Sequence, residues 1–133
     1  MTLKVELVVP DRELWAGEAR TVIAKTTEGD IGVLTGHAPV FGILAEGSLV
    51  EILPPEESEE NYRVLAAVSG GFLSVADDLV SILAAEAELG DAVDAGQARQ
   101  ELDALSAGPA ASGDESAEAK YARAQLRAAG EQA

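Results

Sequence analysis

Leu3, Val5, Leu7 and Val9 alternate with Lys4, Glu6 and Val8, a period of two that predicts a half-buried strand. Pro10-Asp11 breaks it. Glu13-Leu14-Trp15-Ala16-Gly17 reads as a short apolar bend, and Arg20 to Thr27 as a strand, because Thr21, Val22, Ile23, Thr26 and Thr27 carry the β-branched side chains that suit a pleated surface. From Gly29 onward Gly32, Gly36, Pro39, Gly42 and Gly47 punctuate the chain. Between those breaks lie three apolar runs: Ile31, Val33 and Leu34, then Val40 to Leu44, then Leu49 to Leu53. Tyr62 to Val68, Phe72 to Val75 and Leu79 to Ala85 continue the series around the turns Ser69-Gly70-Gly71 and Asp77-Asp78. Short strands at turn-delimited spacing, roughly eight to ten by residue 88, predict an all-β sandwich or barrel. Pro54-Pro55-Glu56-Glu57-Ser58-Glu59-Glu60-Asn61 is a solvated loop, since two prolines and four acids do not enter a sheet.

The tail changes period. Asp94 followed by Gln97 has the form of a capping box, and Ala95, Ala98, Leu102 and Leu105 share one helical stripe. Ala107-Gly108-Pro109-Ala110-Ala111-Ser112-Gly113 ends that helix. A second begins at Asp114 or Ser116 and runs to about Ala129, with Gly130 as its stop. The fold expected is an all-β sandwich of about ten strands over residues 1–88, followed by a C-terminal α-helical hairpin over residues 89–133.

Composition sharpens that division. The chain has 133 residues, and 27 of its 32 Val, Ile and Leu fall in residues 1–83, while 17 of its 25 alanines fall in residues 84–133. One substantial core is expected at the front and a weakly apolar helical tail behind it. Helices of this length are marginal in water, so the hairpin's position should depend on what it docks against. A movable element is expected.

The net charge is −15, which repels phosphate backbones and anionic membranes and nearly excludes nucleic-acid binding. No apolar run reaches the roughly 18 to 20 residues of a membrane span. The opening Met1-Thr2-Leu3-Lys4-Val5-Glu6 has neither the basic cap nor the apolar core of a signal peptide. With no cysteine there is no thiolate chemistry, and a cytosolic compartment is expected.

Candidate chemistry is sparse. His37 is the one histidine, so any Ser-His-Asp or metal-histidine site must pass through it; it stands in a Gly-Pro-bounded loop with no orienting carboxylate nearer in sequence than Asp30. Gly42 and Gly47 have the spacing of a phosphate loop, but Ser48-Leu49 follows with no lysine. Asp91, Asp94 and Gly96 faintly echo a calcium loop, but Val93 and Ala95 stand where oxygen ligands are needed. Adjacent Asp77 and Asp78 read as solvated turn acids. No catalytic residue, metal site or cofactor is expected. The informative pattern lies in the second helix, where Lys120, Arg123 and Arg127 fall within about 60° of one another on a helical wheel, with Glu115 and Glu118 opposite. A solvated amphipathic face is the plainer account of them, docking on an acidic partner the sharper one.

Glu28-Gly29-Asp30-Ile31-Gly32-Val33-Leu34-Thr35-Gly36-His37-Ala38-Pro39-Val40 closely resembles the epsilon subunit of bacterial F-type ATP synthase. The likeness continues through Leu44-Ala45-Glu46-Gly47, Ser69 to Val75 and Val80 to Ala84. It implies a β-sandwich with a helical hairpin, and a non-catalytic subunit of the rotating central stalk, peripheral at the cytoplasmic face of the bacterial cell membrane. The implied partners are the gamma subunit, the c-ring and, through the hairpin, the alpha/beta catalytic head. Asp30 and the Gly36-His37-Ala38-Pro39 turn match the family's c-ring-facing edge; Val9 and Val40-Phe41-Gly42 match its gamma-facing side. The resemblance also gives Lys120, Arg123 and Arg127 a partner in the acidic C-terminal segment of the catalytic beta subunits.

Some members of that family bind ATP through an Ile-Asp-x-x-Arg-Ala motif. Here Val93-Asp94-Ala95-Gly96-Gln97-Ala98 puts Gln97 at the arginine position, which removes a fixed phosphate-binding charge. Weak or absent ATP binding is expected. A reading of a different class is a free-standing sandwich that binds a small ligand or regulatory partner under the hairpin as a lid. An enzyme has almost no support.

Overall fold

The computed structural model of the chain describes residues 2–55, 63–106 and 117–130. Ten strands come first: β1 (Leu3–Val9), β2 (Arg12–Ala19), β3 (Thr21–Thr26), β4 (Gly29–Leu34), β5 (Val40–Leu44), β6 (Ser48–Leu53), β7 (Val64–Val68), β8 (Gly71–Ala76), β9 (Leu79–Ala84) and β10 (Ala87–Leu89). A 3-10 turn (Gly90–Ala92) leads to α1 (Ala95–Ser106) and α2 (Ala117–Ala128). The strands follow the order β10-β7-β6-β3-β5-β8-β9-β1-β2, with β4 paired to β3. β3 joins β5 through the single pair Thr26↔Leu44, so the path bends there into two facing layers, β10-β7-β6-β3-β4 and β5-β8-β9-β1-β2.

Alternation decides which side chains enter the space between those layers. Leu3, Val5 and Leu7 of β1 meet Val22 and Ala24 of β3, Val50 and Ile52 of β6, Leu73 and Val75 of β8, and Val80 and Ile82 of β9 in one buried cluster. Nearly all the large aliphatics of this cluster come from residues 3–82, where the composition had concentrated them. Packing at that density makes a stiff body.

Segment 13–17 corrects an expectation. It is strand β2, paired antiparallel to β1 with a register shift between Leu7 and Val8. Gly17, which read as part of a bend, makes room for the Trp15 ring instead: a Cβ there would lie 2.9 Å from the indole. Trp15 and the opposite edge residues Val64, Leu65 and Leu89 line a cavity of about 180 Å³, so the two free edges of the sandwich approach each other. The Asp77-Asp78 turn stands as read, both residues holding positive φ (50° and 62°) in the left-handed region that Asp tolerates.

Asp94 caps α1 through a 3.0 Å bond from the Gln97 backbone N–H to its Oδ1. The reciprocal half of the box does not form, because the Gln97 side chain donates forward to Glu101 at 3.3 Å. The stripe Ala95, Ala98 and Leu102 packs on Ala119, Ala122 and Leu126 of α2, which makes the expected helix pair. Leu105, the fourth stripe residue, and the linker 107–113 lie outside the described side chains. Gly130 ends α2 with φ 88° and donates its N–H to the Arg127 carbonyl at 3.0 Å.

Candidate functional site

Three surfaces stand out among the described residues. The first is the Gly36-His37-Ala38-Pro39 turn beyond β4. His37 donates its backbone N–H to the Leu34 carbonyl at 3.1 Å, and its Nδ1 lies 2.7 Å from the Ala38 carbonyl. A carbonyl only accepts, so Nδ1 carries the proton and the imidazole braces its own turn. No carboxylate orients it among the bonds of the described residues. Gly36 donates its N–H to Asp78 Oδ1 at 2.7 Å, which ties the turn to the β8–β9 hairpin. Leu34, at the end of β4, is 60% exposed beside it.

Asp30 is not there. It is the second residue of β4, opposite Lys25 of β3, and the strand carries it about 13 Å from Leu34 at the other end. Asp30 and the Gly36–Pro39 turn therefore occupy opposite ends of one strand rather than a single edge.

The second surface is the outer face of β5, β8 and β9. Cross-strand pairing sets Ile43 beside Phe72 and Phe72 beside Leu83 in one row, with Phe41, Ser74 and Ser81 in the next. Phe41 is 65% exposed and Ile43 53%, and the Phe41 and Phe72 rings stack with centroids 5.4 Å apart. Contiguous exposed aromatic and aliphatic side chains on a sheet face mark an interaction surface. Of the gamma-facing residues expected from the sequence, Phe41 lies on this face. Val9 and Val40 instead pack against the core, and Gly42 points its missing side chain toward Thr26. Ile43, Phe72 and Leu83 were missed. Their signal was a strand, Val40 to Leu44, apolar at every position except a glycine, when one buried face needs only alternate ones.

The third surface belongs to α2, which presents three stripes. Ala119, Ala122 and Leu126 face α1. Tyr121, Ala124 and Ala128 pack on Ala67, Leu49 and Leu65 of the β6–β7 outer face. Lys120, Arg123 and Arg127 sit between those two stripes and line a cleft of about 540 Å³ with Lys25, Asp30, Glu46 and Glu51. The hairpin is thus folded against the sandwich, on the layer opposite the exposed apolar face. Burial pushes the Tyr121 phenol up to about 12, with Glu88 and Glu86 adding to the effect. Gln125 Nε2 donates to Glu88 Oε1 at 2.9 Å alongside it.

The family described as ATP synthase, Delta/Epsilon chain, beta-sandwich domain matches residues 2–90. The ATP synthase epsilon chain of Thermobifida fusca is 54% identical over 130 residues, which cover 96% of this chain and 91% of that one. The chain belongs to the ATP synthase epsilon-chain family. A second epsilon chain, from Streptomyces avermitilis, is 45% identical over 126 residues and covers 95% of this chain and 94% of its own. Among solved structures, a chain in the Euglena gracilis mitochondrial ATP synthase (OSCP/F1/c-ring) matches at 25% identity with a TM-score of 0.68 over 97% of this chain and 79% of that one. A chain from the Tetrahymena thermophila mitochondrial ATP synthase central stalk/c-ring shares the fold at 19% identity, TM-score 0.57, over 97% of this chain and 91% of that one.

The expectation of weak or absent ATP binding rests on Gln97. Gln97 is exposed at the start of α1, bonded to Glu101, and its amide presents no positive charge to a phosphate. Among the described residues no three His, Cys, Asp or Glu side chains group to hold a metal ion, and no helix is long and apolar enough to cross a membrane.

Proposed function

We propose that this chain is a non-catalytic rotor subunit that couples c-ring rotation to gamma and regulates ATP hydrolysis through its C-terminal helices. It works as two units, residues 1–88 and residues 89–133. Family membership supports the place in the complex, and the exposed row Ile43, Phe72 and Leu83 with Phe41 carries the coupling role. Torque passes between rigid bodies only through a close-packed contact, and this is an apolar face on the stiff β5-β8-β9-β1-β2 layer. Gamma is its occupant in this reading, with Phe41 as the anchor; Val40 and Gly42 flank Phe41 on the inner side of β5, and Val9 packs on the core from β1. Because α2 docks on the opposite layer, the hairpin leaves that face clear in its folded position.

The c-ring contact involves Asp30 or the Gly36-His37-Ala38-Pro39 turn. These stand at opposite ends of β4, so cross-linking tells them apart: cysteine at one end captures a c subunit and at the other does not. Released from the sandwich, the hairpin extends along gamma, and there Lys120, Arg123 and Arg127 meet acidic segments of the catalytic head. The protein then lies peripherally at the cytoplasmic face of the cell membrane, held there by the complex.

A tagged copy expressed at native level tests the reading. It should co-purify with gamma and the catalytic head, and the double variant Ile43→Asp, Phe72→Asp should be recovered folded but alone. Recovery of the unaltered chain as a lone monomer would favour a free-standing ligand-binding module instead.

A further inference from the structure

The closest part of the contact between α2 and the sandwich is built from alanines, flanked by Tyr121, Leu49 and Leu65. Ala67, Ala124 and Ala128 meet with exposures of 0, 1 and 6%. Two glycines let the helix come that close. Gly47, in the β5–β6 turn, lies under the amino-terminal half of α2, where an added Cβ would overlap the backbone carbonyl carbon of Lys120 and sit 2.5 Å from the Tyr121 nitrogen. Gly90, in the 3-10 turn, lies under the other end, where an added Cβ would overlap the Ala128 carbonyl oxygen and sit 2.8 Å from its carbon. In both places the obstruction is helix backbone, which no rotamer change relieves.

We propose that Gly47 and Gly90 form a two-point seat that fixes where α2 docks and sets the balance between the docked and released hairpin. The reasoning is one of reach. An alanine methyl extends only one carbon from the backbone, and dispersion contact decays within an ångström of separation. Lifting either end of the helix by the depth of one methyl group strips Ala124 or Ala128 from Ala67 and loosens the packing of Tyr121 on Leu49 and Leu65 beside them. The charges that line the adjoining cleft are of both signs, and the two glycines set the backbone approach on which those contacts also depend.

Gly90 supplies the cleaner test, because Gly47 holds φ +57° and a substitution there also strains its turn, whereas Gly90 has no positive φ. The chain contains no cysteine, so Asp11→Cys and Glu118→Cys accept spin labels specifically in the full-length protein. Double electron–electron resonance should give one narrow distance for the docked helix. Gly90→Ala should lower the docked-to-released ratio roughly tenfold or more, the size expected of overpacking, and a second, longer distance should appear. Ala124→Leu should do the same from the helix side, where a clash does not disturb sandwich folding; it decides the matter if Gly90→Ala fails to fold. Gly96→Ala serves as the control, since its Cβ meets nothing nearer than Asp94 Oδ1 at 3.5 Å and should leave the ratio unchanged.

Raising salt to 1 M, where screening acts within about 3 Å, should leave the unaltered chain docked. A single docked distance in both Gly90→Ala and Ala124→Leu overturns the seat, as does release of the unaltered helix by salt alone. Neither readout depends on gamma or on hydrolysis, so the inference stands or falls separately from the rotor reading.

Discussion

The backbone N–H of Gly36 donates a 2.7 Å hydrogen bond to Oδ1 of Asp78, across 42 residues of sequence. Asp78 also accepts the Lys4 N–H at its carbonyl, at 2.9 Å, so one turn residue joins β1, the β8–β9 hairpin and the exposed Gly36–Pro39 turn. Its φ of 62° suits Asn as well as Asp. Asp78→Asn should therefore keep both the acceptor and the backbone and change stability by less than about 0.5 kcal/mol. Asp78→Ala loses the acceptor and strains the turn, and should cost about 1–2 kcal/mol in urea denaturation.

Phe41 and Phe72 separate folding from assembly. Their stacked rings stand on the outer face, so Phe41→Ala or Phe72→Ala removes a surface aromatic pair worth about 0.5–1.5 kcal/mol and opens no core cavity. Thermal melts should fall modestly. Capture of gamma should fall by at least tenfold for either variant, because truncating a central aromatic anchor of an interface costs about 2 kcal/mol or more. Equal gamma capture by variant and parent would move the interface elsewhere.

Strand existence was legible because Leu3 to Val9, Val40 to Leu44 and Leu79 to Ala84 carry period-two or continuous apolar runs between Gly, Pro and Asp turns. The helix pair was legible through Asp94, Gly130 and the stripe Ala95, Ala98 and Leu102. Trp15 and Gly17 were misread because their extended conformation comes from partners in β1 and from the far edge of the sandwich, contacts a local window does not contain. The functional surfaces were legible only in part. Sequence places Phe41, Ile43 and Phe72 in strands, but register alone puts Ile43 and Phe72 in one row with Phe41 in the next, and leaves Val9 and Val40 against the core. The resemblance put Asp30 and His37 on one edge, but β4 runs between them.

Tyr121 makes docking of α2 sensitive to alkali. Its phenol is held neutral first by burial and then by the Glu88 and Glu86 carboxylates, with a pKa raised from 10.0 to about 12. In the released helix it returns to its ordinary value. Below pH 10 both states hold the proton and pH has no effect. Between 10 and 12 the released state gives up its proton first, so rising pH favours release and the docked state is lost through that window. In a Tyr62→Phe background Tyr121 is the one remaining tyrosine, and its absorbance at 295 nm should titrate close to 12, falling back toward 10 when Ala124→Leu frees the helix.

Gln97 bears on nucleotide binding. Its backbone is committed to the Asp94 cap and its amide to Glu101, so it offers a phosphate no charge. Calorimetric titration of the full chain with ATP should show no micromolar site. Gln97→Arg restores the cation at that position and should increase ATP affinity at least tenfold, whereas Gln97→Lys, lacking the planar fork, should gain less.

Lys120, Arg123 and Arg127 occupy neither apolar packing stripe of α2, and Arg123 and Arg127 make polar or electrostatic contacts of their own. Alanine is the best helix former, so the triple alanine variant keeps the helix and its contacts with α1 and with Ala67. Its docked distance should match that of the parent, with a melting temperature lowered modestly by the lost Arg123 and Arg127 contacts. In the assembled enzyme, however, the variant lacks the charges that would meet an acidic segment of the catalytic head, and ATP hydrolysis should rise several-fold. The increase should shrink as ionic strength grows, because salt already weakens the same contact in the parent. Unchanged hydrolysis at low salt, with assembly intact, would leave the stripe as a solvated face beside the cleft.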